Sequence, residues 1–330
     1  MSSTSVRSTA KKAPKQQRPI ERTIVIKNKS ANDIIAILND NPAVEELQIN
    51  DCYDNITEIT EITSEVISRI FALEHLTGLD LDYNNIECEH AAEIAKHLVG
   101  SSITNLSLDD NQISDAGAAE IAKHLVGSNI TTLGMEYNDI GPEGASEIGK
   151  NLVGSNITSL YLGANELGEE GASEIAKNLI GSNIQTLALY ENQIGDEGAS
   201  EIAKHLVGSN ITVLKLQYNE IGDGGAIEIG KHLIGSNITR LYLEWNDIGD
   251  QGACEIANNL VGSNLTYLYL GSNQIGDEGT CEIANNLVGS KLTDLDLIDN
   301  EMDTPEIEQL HQLLIDKWNE LGNDPEKLIL

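Results

Sequence analysis

From Leu76 onward one pattern recurs nine times at a fixed spacing of 27 residues, starting at Leu76, Ile103, Ile130, Ile157, Ile184, Ile211, Ile238, Leu265 and Leu292. In outline each copy reads L-x-x-L-x-L-x-x-N, closing on the asparagines at 84, 111, 138, 165, 192, 219, 246, 273 and 300. A unit this short cannot bury an apolar face alone. Successive copies must therefore stack, and the core must run continuously through them. In "TSLYLGAN", Leu160 and Leu162 alternate with Ser159 and Tyr161, which predicts a strand with one buried face. Asn165 ends the strand, and its amide can both donate and accept toward turn backbone in the stack. In "GEEGASEIAKNLIGS" the spacing becomes helical. Ala172, Ile175 and Leu179 share a face, Glu174 and Lys177 can pair outside, and Gly181 suits a left-handed stop.

Nine ungapped copies identify the chain as an α/β leucine-rich repeat solenoid: a horseshoe with a parallel sheet on the concave face and helices on the convex face. Such a core needs no large side chains, which accounts for a single Phe in 330 residues. We divide the chain into a basic tail (1–19), an N-terminal cap (20–43), the repeats (44–301) and a C-terminal capping helix with tail (302–330). "VEELQINDC" reads as a degenerate first repeat with Cys52 in the Asn position. "TIVIKNKSANDIIAILND" reads as the strand and helix of the first cap. At the other end "TPEIEQLHQLLIDKWNELG" reads as a helix covering the last repeat with Ile307, Leu310, Leu314 and Trp318.

"NQIGDEGASEIAKHLVGSNIT" and its siblings resemble the ribonuclease-inhibitor subfamily of these repeats, which includes repeat regions of NOD-like receptors and of Ran-GTPase-activating protein. The resemblance covers about residues 44–301. It implies the fold, and it points to inhibitors, sensors and GTPase activators alike. No catalytic residue of the activators maps onto this chain, and the classical inhibitors are far richer in cysteine. The near-identity of the units resembles leucine-rich proteins of bacteria living inside eukaryotic cells, which sets an effector role in a host cell as one expectation.

Charge narrows the partners. The total is −33, yet residues 1–29 hold eight basic residues against the single acid Glu21, so the remainder carries about −40. Such a body repels nucleic acid and anionic membrane and favours a basic protein partner. No apolar run is long enough to span a bilayer, and "MSSTSVRSTAKKAPKQQRP" lacks the apolar core of a Sec-type signal. With only four cysteines an intracellular protein is expected, and separately a monomer. Cys254 and Cys281, one repeat apart on adjacent helices, should be free thiols.

Several strings imitate chemistry. "GASEIGK" and "GAIEIGK" echo a phosphate loop, but Gly149 and Gly230 take a mid-helix position held elsewhere by Ala95, Ala122, Ala176 and Ala203. "DLDYN" lacks the glycine and final glutamate of a calcium loop. His97, His124, His205 and His232 exchange with Asn151, Asn178, Asn259 and Asn286, as at a solvated position. Asn129-Ile130-Thr131 and its equivalents match a glycosylation acceptor, but they recur at the helix-to-strand loop as a structural part would. No catalytic constellation stands out, and neither metal nor cofactor is expected.

What does not repeat is the set of strand positions facing away from the core. Eight of the nine tyrosines and one of two tryptophans fall there. Tyr161, Tyr190, Lys215, Tyr218, Arg240, Tyr242, Trp245, Tyr267 and Tyr269 occupy five consecutive units, a strip ~20 Å long at ~4.8 Å per strand, with acidic residues at both ends. Tyr, Trp and Arg are the side chains most enriched at binding hot spots. Strand propensity alone would scatter the aromatics over all nine units. The expected function is therefore a non-catalytic protein–protein interaction module. The alternatives are a regulator of an enzyme and a purely structural array.

Overall fold

The computed structural model describes residues 23–27, 29–50, 62–301 and 307–330. The predicted tail and Cys52 lie outside these residues. Among the described residues twelve strands form one sheet in sequence order, every neighbouring pair parallel, with helices on the other side of a continuous aliphatic core. The repeat sets the register: Leu133, Leu160, Leu187 and Leu214 lie directly opposite one another, and all are buried. A one-residue slip would turn each of them out to solvent.

The ends close as the stack requires. Strand Thr23–Lys27 and helix Ala31–Asp40 precede the first repeat strand, Glu46–Asn50. At the far end helix Ile307–Glu320 buries Leu314 and Trp318, while Leu310 is half-buried. The last ten residues, expected to be an exposed tail, are instead part of the fold. Asn323 Nδ2 donates to the Leu292 carbonyl at 2.7 Å, and a 3₁₀ turn Pro325–Lys327 leads into strand Leu328–Ile329 beside Asp294–Asp296. Lys327 pairs with the buried Asp294 at 3.2 Å. A helix alone would leave the edge of the last strand unpaired, and this short strand covers it.

The asparagines build a ladder through the core. Asn219 Oδ1 accepts from the backbone N–H of Asn192 (2.9 Å) and of Ile194 (3.4 Å), and Nδ2 donates to the Leu189 and Gln217 carbonyls. Equivalent bonds recur at Asn111, Asn138, Asn165 and Asn246. Each amide thus satisfies turn backbone in the unit before it, which has no solvent to turn to.

A second ladder caps the helices from the preceding unit. Asp196 Oδ1 accepts from the N–H of Gly222 and Gly225, both at 2.8 Å, at the start of helix Asp223–Lys231. Asp115, Asp223 and Asp250 do the same for the helices that follow them. Where Cys88, Pro142 or Glu169 takes the aspartate's place, the next helix begins on a left-handed residue instead: Ser114 (φ 57°), Gly168 (φ 60°) and Gly195 (φ 61°). Gly222, by contrast, has φ −95°. Gly195→Ala is therefore expected to cost about 1 kcal/mol, whereas Gly222→Ala should be near neutral because its Cβ meets Asp196 only at ordinary contact distance. Urea titration of the two variants would show equal losses if the left-handed start were unimportant.

The helices end sooner than predicted. In the fourth unit helix Gly168–Ala176 gives way to a 3₁₀-like turn, with Asn178 N–H on Ile175 and Leu179 N–H on Ala176, before Gly181 at φ +91°. The His/Asn position lies in this turn, and it is not simply solvated. His124, His205 and His232 place Nδ1 2.8–2.9 Å from the carbonyl four residues back, and Asn151, Asn178 and Asn259 donate to the same carbonyl from Nδ2. The residues exchange because both present an N–H there, which fixes the proton of those histidines on Nδ1. Gly149 and Gly230 lie within helices, where a Cβ would strike backbone of the next helix. Cys254 and Cys281 are free thiols. Asn129, Asn156, Asn210 and Asn237 each spend their side-chain N–H on a carbonyl of the previous unit, the structural reason for that recurrence.

Candidate functional site

Four positions per unit leave the core on the strand side. The first two flank the strand leucine, as Arg240 and Tyr242 flank Leu241, and the third follows the next leucine, as Glu244 follows Leu243. The fourth has a backbone the sequence did not announce. Tyr83, Asp110, Tyr137, Ala164, Glu191, Tyr218, Trp245, Ser272 and Asp299 all take left-handed φ between 50° and 59°. Glycine or asparagine would fit there without strain, and a bulky aromatic residue is unusual. Tyr83, Tyr137, Tyr218 and Trp245 are nonetheless 41–54% exposed at that strained position.

The second half of the array is aromatic. Lys215, Tyr242 and Tyr269 stand opposite one another on adjacent strands. Tyr242 and Tyr269 stack with ring centroids 5.0 Å apart, and Lys215 Nζ lies 5.8 Å from the Tyr242 ring. In the neighbouring row the Arg240 guanidinium sits 4.5 Å from the Tyr267 ring. On the rim Tyr218 and Trp245 stack at 5.1 Å with only 8° between planes. Both cations of the strip therefore rest on aromatic faces, an arrangement worth ~0.5–1 kcal/mol at exposed sites.

The first half is acidic. A trough of about 540 Å³ is lined by Glu46, Asp80, Asp109, Glu136 and Tyr161. Asp82 accepts from the N–H of Asp109, and Asp109 from that of Glu136, each at 2.8 Å. Burial pushes the Asp82 carboxyl up to about 7, with Asp80 and Asp109 adding to the shift. Burial likewise lifts Asp109 to about 6, reinforced by the charge of Glu136. Tyr190 joins the halves: it leans over Gly163, where a Cβ would lie 2.3 Å from its ring, and donates to Glu136 at 2.7 Å. Burial and then that bond hold its phenol well above the usual value. Among the described residues no group of His, Cys, Asp and Glu is placed to hold a metal ion, and no helix is long and apolar enough to cross a membrane.

The leucine-rich repeat family model matches seven consecutive units, at residues 101–122, 128–149, 155–176, 182–203, 209–230, 236–257 and 263–280. This chain is a leucine-rich repeat protein. Among solved structures it is similar to a chain of the yeast complex of Rad7 and Elc1, with TM-score 0.60 and 16% identity over 89% of this chain and 72% of that one. It is also similar to an internalin from Listeria monocytogenes, with TM-score 0.50 and 17% identity over 83% and 67%. At such identities the likeness is one of fold. No curated protein matches the chain. Leucine-rich repeats typically mediate protein–protein contacts, and no enzyme family is indicated.

Across this leucine-rich repeat array the nine predicted strip residues fall into two sets. Lys215, Tyr218, Arg240, Tyr242, Trp245, Tyr267 and Tyr269 form four contacts in three adjoining groups in the aromatic half. Tyr161 and Tyr190 belong with the acidic half. Sequence reasoning places Glu136, Glu244, Gly163 and Gly271 on the concave face but gives no role to the two carboxylates, or to the two glycines whose missing side chains leave room for their neighbours. Their signal was a glycine directly preceding a large residue at the same position of the next unit. The leucine-rich units also expose Val99, Val126, Val153, Ile180 and their equivalents at one turn. That ridge recurs in unit after unit, so it is a property of the unit rather than of one place along the array.

Proposed function

We propose that this protein is a non-catalytic binding module that holds a protein partner with a basic surface on its concave face. The observation that carries this reading is the aromatic half. Elsewhere the same unit fills most of these positions with Thr, Ser, Gly or Asp and folds equally well, yet here it packs stacked Tyr and Trp, some on left-handed backbone. Strain kept at exposed aromatics is understandable where they touch something. The stack is built on a continuous sheet, so little ordering is required on binding. The acidic trough beside it adds attraction and steering for a basic partner.

Affinity capture with Tyr242→Ala/Tyr267→Ala beside the wild type tests the proposal. Two lost hot-spot contacts should weaken the partner by roughly 10²-fold or more, while the half-exposed positions leave Tm nearly unchanged. Undiminished capture by the folded double variant would sink it. The ribonuclease-inhibitor-like subfamily and a bacterial effector setting are part of the same proposal. They are supported by the 27-residue helical unit and by the near-identity of the copies. A translocation-reporter fusion retained inside the bacterium would remove the effector setting and leave the binding surface standing.

A further inference from the structure

Within the aromatic half lies a hollow of about 410 Å³, bounded by Tyr218, Trp245, Gln217, Glu244, Gly271 and Asp296. One wall is an outer ring face of the Tyr218–Trp245 stack, whose planes lie 8° from parallel and whose members keep about half their surface open. Two acceptor atoms at the floor lack a donor. Glu244 Oε2 and Gln217 Oε1 are shut from solvent and make no hydrogen bond. They occupy the same position of adjacent units, so their strands are ~4.8 Å apart. Gly271 places no side chain over this floor, and Lys215, which also lines the hollow, turns its Nζ toward the Tyr242 ring at 5.8 Å. A buried acceptor without a donor is costly and calls for an explanation.

A ligand that answers this geometry needs a flat cation to lie on the wall and N–H donors pointing from its edge. Guanidinium has both features: it is planar, always charged, stacks on aromatic faces and donates in a fixed fork. Ammonium has the charge without the plane. We propose that the hollow is a seat for an arginine side chain presented by the partner, flat against the open outer face of the Tyr218–Trp245 stack and paired with the Glu244 carboxylate. This rests on the reading of the concave face as a binding surface, and it names the group that surface selects. The electrostatics agree. Burial pushes the Glu244 carboxyl up to about 7, Asp296 adds to the shift and Lys215 opposes it, so a further cation would relieve a carboxylate that is held at a cost.

The test needs no knowledge of the partner. The full chain is titrated with a capped Gly-Arg-Gly peptide and with versions carrying citrulline or lysine in place of arginine. The readout is the indole N–H NMR signal of Trp245, assigned by its absence in Trp245→Phe. Saturable movement with arginine, and binding weaker by roughly tenfold or more for citrulline and for lysine, is the expected result. Glu244→Gln, which keeps shape and removes charge, should cost a similar factor with Tm unchanged or higher. Equal binding of arginine and citrulline, equal binding of arginine and lysine, or an affinity for arginine untouched by Glu244→Gln would overturn the seat. So would the absence of a saturable shift up to roughly 20 mM peptide. Neither Tyr242 nor Tyr267 lines the hollow, so the two experiments fail separately. A failed titration beside capture that depends on Tyr242 and Tyr267 removes the seat and keeps the surface.

Discussion

Replacing Asn219 by leucine is expected to lower the unfolding free energy by about 3–5 kcal/mol. The side chain is fully buried, so water cannot stand in for it. Its loss strands the backbone N–H groups of Asn192 and Ile194 together with the Leu189 carbonyl, none of which has another partner nearby in the ladder. Each orphaned group costs about 1–3 kcal/mol, and the added apolar surface recovers only part of that sum. The site lies mid-array, where both neighbours depend on the interface. Asn300 at the end of the ladder is only partly buried, so Asn300→Leu should cost about half as much or less. Urea titration gives the difference, and amide exchange at Asn192 and Ile194 locates it. A mid-array loss below about 1 kcal/mol would mean that the stack relaxes around the gap and that the ladder is not what fixes the turns.

The ladder was legible because its cause is local and repeated: a buried amide at a fixed spacing has few other uses. Strand leucines, helix faces and the burial of Leu314 and Trp318 followed from the same periodicity. What escaped depends on contacts between units. That Asp196 caps the helix beginning at Asp223 is invisible until the helix starts are known to abut, although the 26- and 29-residue separations are constant. The histidine position looked solvated because exchange with asparagine suggests indifference, whereas both side chains make one bond. Strand Leu328–Ile329 is too short to leave a pattern. At the concave face the sequence supplied the residues, and the structure supplied their partners. Tyr190 reaches Glu136 only because Gly163 between them has no side chain. The same holds for the crowding of Asp82 and Asp109, which is produced by strand neighbours 27 residues apart.

That crowding leads to the second large effect: the protein should grow more stable as pH falls from about 8 to about 5. Asp82 and Glu244 are pushed up to about 7 and Asp109 to about 6, from 3.8 for the aspartates and 4.5 for the glutamate. Because the folded values are the higher ones, the folded chain holds more protons than the unfolded chain between about pH 4 and 7. Raising the pH through that window therefore removes stability. Taken at face value three such shifts would be worth about as much as the whole stability of a typical domain. These side chains are partly open to solvent, and a discounted total of about 2–4 kcal/mol is the reasonable scale. The opposite trend begins lower down. Glu93, Glu120, Glu174 and Glu228 are held below their usual value by hydrogen bonds from lysines of the same helix, so their contribution is lost only as pH drops through those depressed values. The optimum should then lie near pH 5, with Asp82→Asn raising stability at pH 8 and flattening the slope. Added salt should help more at pH 8 than at pH 5, since the chain's −33 net charge repels itself in the same direction. A Tm that falls between pH 8 and pH 5 would mean that the trough carboxylates are solvated and uncrowded. If the slope is as expected, the acidic half is held ionised against its own repulsion at pH 8, and a basic partner is the ligand that would relieve it.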